Sequence, residues 1–266
     1  MARVIAIYNA KGGVGKTTTA LNLGACLAEK GRRTLLIDFD PQGNSTSVLK
    51  KDRGFNYHIY HGVLGLAQPE SILMPTFIQD YDFIPASSDL AGLLVELVGA
   101  ENREYFLRRF INQFRHLYDY VIIDLPPSLS LLTINGLVAA DEVLIPVQAE
   151  YYGLEGISQL LETVELIRAN LRHSLQVAGA VLTLYNKKER LSREVNRNLR
   201  RHFPYKVFDT EIPRAIALAE APSYGMTIIE YRPESSGADA YRRLAAEVIE
   251  REIQKQEIKE FGNFII

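Results

Sequence analysis

A glycine-rich segment with two lysines carries the strongest chemical signal in the sequence. It reads Lys11-Gly12-Gly13-Val14-Gly15-Lys16-Thr17-Thr18 and follows an apolar run at residues 4–8. Consecutive backbone N–H groups in such a turn form a cradle for anions, and glycine is needed because side chains would block the close approach of a pyrophosphate. We therefore predict a phosphate-binding loop in which Lys16 reaches the β- and γ-phosphates of a nucleotide and Thr17 ligates Mg²⁺.

This loop departs from the standard P-loop pattern in two ways. The pattern G-x-x-x-x-G-K-[ST] requires glycine where this sequence has Ala10, and a second lysine, Lys11, precedes the paired glycines. The competing interpretation is a glycine-rich turn that only joins a strand to a helix. Composition, spacing and the strand–loop–helix context together favour phosphate binding.

Three aspartates follow or end predicted strands. Asp38 and Asp40 end one apolar run, and Asp124 ends the run Val-Ile-Ile-Asp. Ligands of open α/β sheets bind outside the carboxyl ends of the strands, and an aspartate after an apolar run is typical of a Walker B metal site. We predict that Asp124 lies at a metal site and that Asp40 is a second candidate at the same edge, whereas Asp38 is the weaker candidate because it lies deeper in the sheet. Each could instead be a turn or helix-capping residue.

The elements that position these residues alternate along the chain. Apolar runs predict seven strands, at residues 4–8, 34–39, 82–85, 120–124, 142–147, 177–184 and 207–212. Helical patterns lie at residues 16–30, 101–117, 154–171 and 191–203. Runs that are apolar throughout suit parallel strands covered on both faces. This alternation predicts an α/β fold, a doubly wound, mostly parallel sheet with helices on both faces. Residues 50–79 are the least regular stretch.

Composition sets outer limits on the function. The chain has 266 residues, 47% hydrophobic and 23% charged, which is typical of a globular protein. Its one cysteine, Cys26, excludes an internal disulfide or a cysteine-built cluster within one chain and is expected to be a core residue. No membrane-spanning run or signal peptide is evident, so we expect a cytoplasmic protein. We expect a single domain over residues 1–266, with a disordered tail from about residue 256.

A local basic face offers a surface for nucleic acid. The formal net charge of the chain is −2, which gives no global nucleic-acid signature. Residues 186–203, however, carry seven positive and two negative side chains, and arginines recur every three or four residues on one helical face, at Arg190, Arg193, Arg197 and Arg200, with Arg201 beside them. Arg214 is a secondary candidate. Without a helix-turn-helix signature, binding would be independent of DNA sequence, and the alternative is a merely solvated face.

Five ordered blocks of sequence resemble the ParA family of partition ATPases. They are KGGVGKTTTA, LLIDFDPQGNSTS, YDYVIIDLPPSLS, VLIPVQAEYYGLEG and IPRAIALAEAPSYGMTI, and the resemblance extends over nearly the whole chain. The resemblance implies a deviant Walker A P-loop ATPase in which Lys11 crosses a dimer interface to the nucleotide of the other subunit. It implies further that residues 12–18 bind phosphate, Asp40 helps to position the attacking water, Asp124 holds Mg²⁺ through water, and Asn186 and Pro213 contact adenine.

The same resemblance implies cofactors and partners. It predicts ATP and Mg²⁺, a homodimer that forms with ATP, sequence-independent binding to double-stranded DNA on the nucleoid, and slow hydrolysis stimulated by a ParB-like adaptor. Such a protein would partition or position a chromosome, a plasmid or other cargo.

Two other classes of protein remain open. A MinD-like switch would bind membrane through a C-terminal amphipathic helix, and residues 242–266 do show apolar positions at helical spacing. This segment is rich in glutamate and matches anionic lipid poorly, so we expect no stable membrane association. A metabolic P-loop enzyme is the third class. Its nitrogenase-type iron-protein form fails because it requires two cysteines per subunit, and no second-substrate motif of other forms is visible.

Overall fold

The computed structural model describes residues 1–150, 155–171 and 173–262, without the side chains of residues 155–156 and 253–262. The backbone forms eight strands within these ranges, at Arg3–Ile7 (β1), Thr34–Asp38 (β2), Met74–Pro75 (β3), Tyr81–Ile84 (β4), Tyr120–Asp124 (β5), Glu142–Gln148 (β6), Gln176–Tyr185 (β7) and Val207–Pro213 (β8). All seven predicted strands are present, with ends that differ by one residue at most.

All eight strands belong to one sheet, in the order β3-β4-β2-β5-β1-β6-β7-β8. Every pairing is parallel except that of β3 with β4. Strands β2 to β5 lie on one side of β1, and strands β6 to β8 lie on the other. The chain therefore changes side at β1, and the carboxyl ends of β1, β2 and β5 lie together next to this topological switch point. A ligand site is expected there. In β2 and β5, Asp38 is directly paired in register with Asp124.

Helices cover both faces of the sheet. They span Lys16–Glu29 (α1), Asn44–Leu49 (α2), Ile59–Val63 (α3), Pro69–Ile72 (α4), Leu93–Glu96 (α5), Phe106–Asn112 (α6), Leu131–Ala139 (α7), Glu155–Leu171 (α8), Arg190–His202 (α9), Ile216–Glu220 (α10), Ile228–Tyr231 (α11) and Ser236–Gly262 (α12). Short 3₁₀ turns lie at Ser88–Gly92, Arg103–Tyr105, Arg115–Leu117 and Ala221–Tyr224.

The two faces of the sheet form two separate hydrophobic cores. Along β1, Val4 and Ala6 join one core together with residues of α6 to α9, while Ile5 and Ile7 join the other together with residues of α1, α2 and α12. Successive strand residues point to opposite faces, so a strand that is buried on both sides must be apolar throughout. The fold class predicted from this pattern is confirmed.

One predicted helix needs correction, and other elements were not predicted. The helix expected at residues 101–117 is divided into Arg103–Tyr105, α6 and Arg115–Leu117. Helix α7 and the antiparallel edge strand β3 were not predicted, and β3 lies within the irregular residues 50–79 together with α3 and α4. Cys26 is a buried core residue as expected, and burial raises the pKa of its thiol to about 12.

The first residue of the helix predicted at 154–171 and the last four residues of the chain lie outside the described residues. The single domain and the disordered tail therefore stay predictions. In the described part of the chain, no helix is both long enough and apolar enough to cross a membrane.

Candidate nucleotide-binding site

The predicted phosphate loop connects β1 to α1 in an open, left-handed conformation. Gly13 and Gly15 have φ angles of 73° and 84°, a region that glycine adopts at little cost. A Cβ atom built on Gly12 or Gly13 meets no other atom within 4 Å, so the space above the loop is open. Within the described residues, no side chain caps the N-terminus of α1, which leaves the N–H groups of its first turn available to an anion.

Three hydrogen bonds hold the loop, two of them with the neighbouring strands β6 and β7. Asn9 donates through Nδ2 to the carbonyl of Pro146 at 2.8 Å and accepts the backbone N–H of Lys11 at 3.0 Å. Thr183 at the end of β7 donates through Oγ1 to the carbonyl of Val14 at 2.8 Å. The cradle is therefore organised before any ligand arrives.

Lys16 is buried in this loop and faces two acids. Its Nζ donates to the carbonyl of Lys11 at 3.0 Å. Burial lowers the pKa of Lys16, and the charges of Asp124 and Asp40 oppose that change. An ammonium held by a backbone carbonyl and nearby carboxylates suits a site that neutralises phosphate charge.

The three predicted aspartates converge beside the loop and are all buried. Burial raises the pKa of Asp124, while the hydroxyls of Ser45 and Thr17 and the charge of Lys16 lower it. Burial, followed by the charge of Asp124, raises the pKa of Asp38. Two neighbouring buried carboxylates need a cation or hydrogen-bond donors to remain charged.

The residues present fit a magnesium ion bound next to the phosphates. Asp124 is 1% exposed, and its Oδ1 atom has no hydrogen-bond partner among the described residues, which is costly for a buried carboxylate. The Thr17 hydroxyl acts on the same carboxylate. Hard oxygen ligands of this kind are what Mg²⁺ prefers, and it keeps several water molecules when it binds one or two carboxylates. Thr17 and Asp124 would hold it.

Two adjoining cavities share part of the loop in their linings. The phosphate-side cavity, of about 370 Å³, is lined by Gly12, Gly13, Gly15, Lys16, Thr17, Thr18, Asp40, Gln42, Asn44 and Pro127. The base-side cavity, of about 330 Å³, shares Gly13, Gly15 and Thr18 and continues along Thr183, Leu184, Ile212, Pro213, Arg214, Ala215, Ile216, Leu218, Ala219 and Tyr241. A polar cavity joined to an apolar one across a phosphate loop suits a nucleotide.

The two predicted adenine contacts differ in position. Pro213 ends β8 and lines the base-side cavity. Asn186 follows β7 but lies outside that lining, and its side chain instead bonds Glu189 and the N–H of Lys188. Leu184 lines the cavity with a φ of 52°, a conformation that costs a leucine about 1–3 kcal/mol.

The arginines of the predicted basic surface differ in their contacts. Arg197 and Arg201 of α9 are exposed, with no ion pair among the described residues. Arg190 pairs with Glu194 at 2.8 Å, and Arg193 donates to the carbonyls of Lys187 and Lys188.

The other two predicted arginines lie against neighbouring elements. Arg200 donates to the carbonyl of Phe208 and lies 3.4 Å from both Asp209 and Glu211. Arg214 pairs with Glu150 at 2.9 Å beside the base-side cavity.

Several residues of the site were not predicted from the sequence. Ser45 and Thr46 bond the buried aspartates, Asn9 and Thr183 support the loop, and Tyr241 reaches the base-side cavity from α12. Asn9 was detectable in principle, because a polar residue directly after an apolar strand and before a phosphate loop is positioned to hold that loop.

The fold and the site define a nucleotide-binding protein of the P-loop class. A family model described as an AAA domain matches residues 2–177. Soj of Thermus thermophilus, a chromosome-partitioning ATPase, is 49% identical over 94% of this chain and 96% of its own length. The sporulation initiation inhibitor protein Soj of Bacillus subtilis is 48% identical over 93% and 98%. The chain belongs to the Soj and ParA family of chromosome-partitioning ATPases.

The chain is also similar to the solved structure of an enzyme that carries a different name. Cobyrinic acid a,c-diamide synthase from Mycobacterium smegmatis, solved with bound ADP and magnesium, superposes with a TM-score of 0.82. It is 36% identical, and the match covers 94% of each chain. The similarity therefore extends over nearly the whole chain.

Proposed function

We propose that this chain is an ATP-dependent dimerising switch that partitions or positions DNA-borne cargo. It is an ATPase with ATP and Mg²⁺ as its cofactors, in keeping with the nucleotide and magnesium bound by its 36%-identical structural neighbour and with its partition-ATPase relatives. The observation that carries the proposal is the preorganised loop with two lysines, Lys16 inside the cradle and Lys11 at its edge.

Each residue of the site has a role in this proposal. Lys16 and the N–H groups of residues 12–18 neutralise and hold the phosphates, and Thr17 and Asp124 hold Mg²⁺, which supplies charge stabilisation for the transferred phosphoryl group. Asp40 lines the phosphate-side cavity and orients the attacking water. The base occupies the cavity lined by Pro213. Asn186 lies outside that lining, so its contact with the base requires its side chain to leave Glu189.

ATP binding brings two subunits together, and the dimer holds DNA. Lys11 is the charge donated across the interface, since Lys16 already serves the nucleotide within its own subunit. The dimer presents two copies of α9, so the DNA phosphates meet twice as many arginines without any sequence-reading element. A ParB-like adaptor then stimulates hydrolysis and releases the protein, which operates in the cytoplasm on the nucleoid.

A salt series on random-sequence duplex DNA tests the DNA-binding part. The variant Arg197→Ala with Arg201→Ala removes two exposed arginines of α9 that make neither an ion pair nor a side-chain hydrogen bond among the described residues. The dimer of this variant lacks four arginines, and each phosphate that an arginine neutralises adds about 0.9 to the slope of log affinity against log salt. The slope therefore becomes shallower by up to about 3.6. The matched control is Arg243→Ala, an exposed arginine on α12 paired with Asp239.

Anionic liposomes form the second arm of that experiment. We expect the ATP-bound parent to bind DNA and to leave the liposomes free. Tight liposome binding without DNA affinity would contradict the partition proposal and favour a MinD-like membrane switch. Equal DNA binding by the double variant and the parent would remove α9 from the interface.

A further inference from the structure

Two adjacent hydroxyl residues at the start of α2 bond two adjacent buried acids. Ser45 donates through Oγ to Oδ2 of Asp124 at 2.7 Å. Thr46 donates to Oδ2 of Asp38 twice, through its backbone N and through Oγ1, both at 2.7 Å. Ser45 is 0% and Thr46 4% exposed, so these bonds are shielded from water.

The Ser45 bond fixes the rotation of the Asp124 carboxylate. It occupies Oδ2, and Oδ1 is the atom that has no hydrogen-bond partner among the described residues. A carboxylate that is held by one oxygen presents the other in a single direction. Hydrogen bonds from outside the coordination sphere orient metal ligands in this way and raise metal affinity.

Thr46 holds the backbone next to Asp40 through Asp38. The second oxygen of Asp38 accepts the N–H of Asp40 at 3.2 Å, and the carbonyl of Asp40 accepts the N–H of Gly43 at 2.9 Å. The Oγ1 of Thr46 also accepts the N–H of Ala86 at 2.8 Å, which ties the start of α2 to the end of β4. Asp40 is therefore fixed between β2 and α2.

Neither hydroxyl residue lines the phosphate-side cavity, whereas Asp40, Gln42 and Asn44 of the same segment do. Ser45 and Thr46 therefore act through the aspartates and not on the nucleotide itself. One turn of helix connects the metal side of the site to the water side, because consecutive residues reach carboxylates on paired strands.

We propose that Ser45 and Thr46 are positioning residues of the nucleotide site. Ser45 orients Asp124 so that Oδ1 is presented to Mg²⁺, and Thr46 holds Asp40 in place through Asp38. This inference rests on the proposed ATP and Mg²⁺ binding.

The test of Ser45 measures how nucleotide binding depends on Mg²⁺ in the full chain. Fluorescent ADP is titrated in EDTA and then across a Mg²⁺ series with the parent, Ser45→Ala, Ser45→Thr and Ser47→Ala. Ser47 is the matched control on the same helix, where its hydroxyl donates only to the carbonyl of Asn44. We expect Ser45→Ala to bind ADP in EDTA like the parent but to need about tenfold more Mg²⁺ for half-saturation. Ser45→Thr restores the parent value.

The test of Thr46 separates turnover from binding. Thr46→Val keeps the shape of the side chain and removes the hydroxyl, whereas Thr46→Ser keeps the hydroxyl. We expect Thr46→Val to lower kcat about tenfold or more with KM for ATP within twofold of the parent, and Thr46→Ser to recover most of that loss. Apo-protein melting temperatures, measured in parallel, show whether either variant has lost its fold.

Two outcomes would overturn the inference alone. The first is an unchanged Mg²⁺ requirement of Ser45→Ala in a parent that depends on Mg²⁺. The second is a loss for Thr46→Val that Thr46→Ser does not recover or that falls equally on KM. A parent whose nucleotide binding ignores Mg²⁺ would instead contradict the proposed function, and the inference with it.

Discussion

In the proposed site, Lys16 is the residue on which we expect phosphate binding to depend most. It is 7% exposed, and its ammonium is held between the carbonyl of Lys11 and the charges of Asp124 and Asp40. In this balance of buried charges, one cation faces two carboxylates. A phosphate group that enters the cradle adds negative charge, so the site needs both this lysine and a metal ion.

We predict that Lys16→Ala abolishes nucleotide binding, because removal of the cation leaves the phosphates facing buried carboxylates. Isothermal titration with ATP and Mg²⁺ measures the loss, and at least 100-fold weaker binding is expected. Lys30→Ala, an exposed lysine at the end of the same helix, is the control and should bind like the parent. Parent-like affinity of Lys16→Ala would remove the phosphate-loop assignment.

His173 is a buried histidine whose charge depends on pH. Its Nε2 bonds the carbonyl of Ala140 at 2.7 Å, and Arg108 donates to its Nδ1 at 3.3 Å. Burial, together with the charge of Arg108, lowers the pKa of His173 from 6.5, while the Ala140 carbonyl and Asp141 oppose the change. The folded chain therefore keeps this ring neutral at a pH where the unfolded chain has begun to protonate it.

We predict that this histidine costs stability in acid. Its contribution is complete above the unfolded pKa of about 6.5 and is lost as the pH falls toward the lower folded value. Between pH 7.5 and 5.5, the stability advantage of the parent over His173→Gln shrinks, by at most about 1.4 kcal/mol. Urea unfolding of both proteins at both pH values measures it. A constant difference across the range would contradict the prediction, and other titrating groups cancel in the comparison.

Helix α9 contains arginines that bond neighbouring elements and arginines that are exposed without an ion pair among the described residues. Contacts with the neighbouring elements determine to which group each arginine belongs. Arg200 bonds the carbonyl of Phe208 at 3.0 Å and pairs with Asp209 and Glu211 of β8. Arg201, the next residue, is exposed and makes no ion pair among the described residues. Arginines of the same helix therefore differ in how available they are to a ligand.

At the scale of this element, Arg200→Ala lowers the free energy of unfolding by about 1 kcal/mol. Most of that comes from the hydrogen bond to the Phe208 carbonyl, since ion pairs exposed to solvent contribute little. The matched substitution Arg201→Ala changes stability by less than about 0.5 kcal/mol. Chemical denaturation of both variants decides the matter, and the assignment is wrong if Arg201→Ala is the more destabilised.

For the molecule as a whole, the position of Lys11 predicts a nucleotide-dependent change of oligomeric state. Its backbone N–H donates to Asn9, and its carbonyl accepts a hydrogen bond from Lys16. Its side chain lines neither of the two cavities and makes no ion pair within the described residues. A lysine at the rim of a site that already contains a cation can supply its charge to a second subunit.

We predict that Lys11→Ala binds ATP within a fewfold of the parent affinity yet remains monomeric. The reason is that the charge that offsets phosphate repulsion across the interface is missing. Light scattering after gel filtration, with and without ATP, compares this variant with Lys187→Ala, an exposed loop lysine. Normal dimerisation of Lys11→Ala would exclude the proposed exchange of charge between subunits.

Local patterns along the chain were sufficient to predict the strands and to identify the candidate phosphate loop and two candidate acids. The loop could be identified because its glycines, lysines and threonine lie within one segment of eight residues. The buried strands were predictable because parallel strands covered on both faces must be apolar throughout. Asp40 and Asp124 followed, because the carboxyl ends of neighbouring parallel strands meet at one edge.

The side chains that complete the site became visible only in the folded chain. Ser45 reaches Asp124 across 79 positions of sequence, and Thr183 reaches Val14 across 169. Distant neighbours likewise decide two local features. These are the division of the helix expected at residues 101–117 and the ion pair of Arg200 with Glu211 of β8. Such contacts arise from packing between elements, and no local pattern of hydrophobicity or charge specifies them.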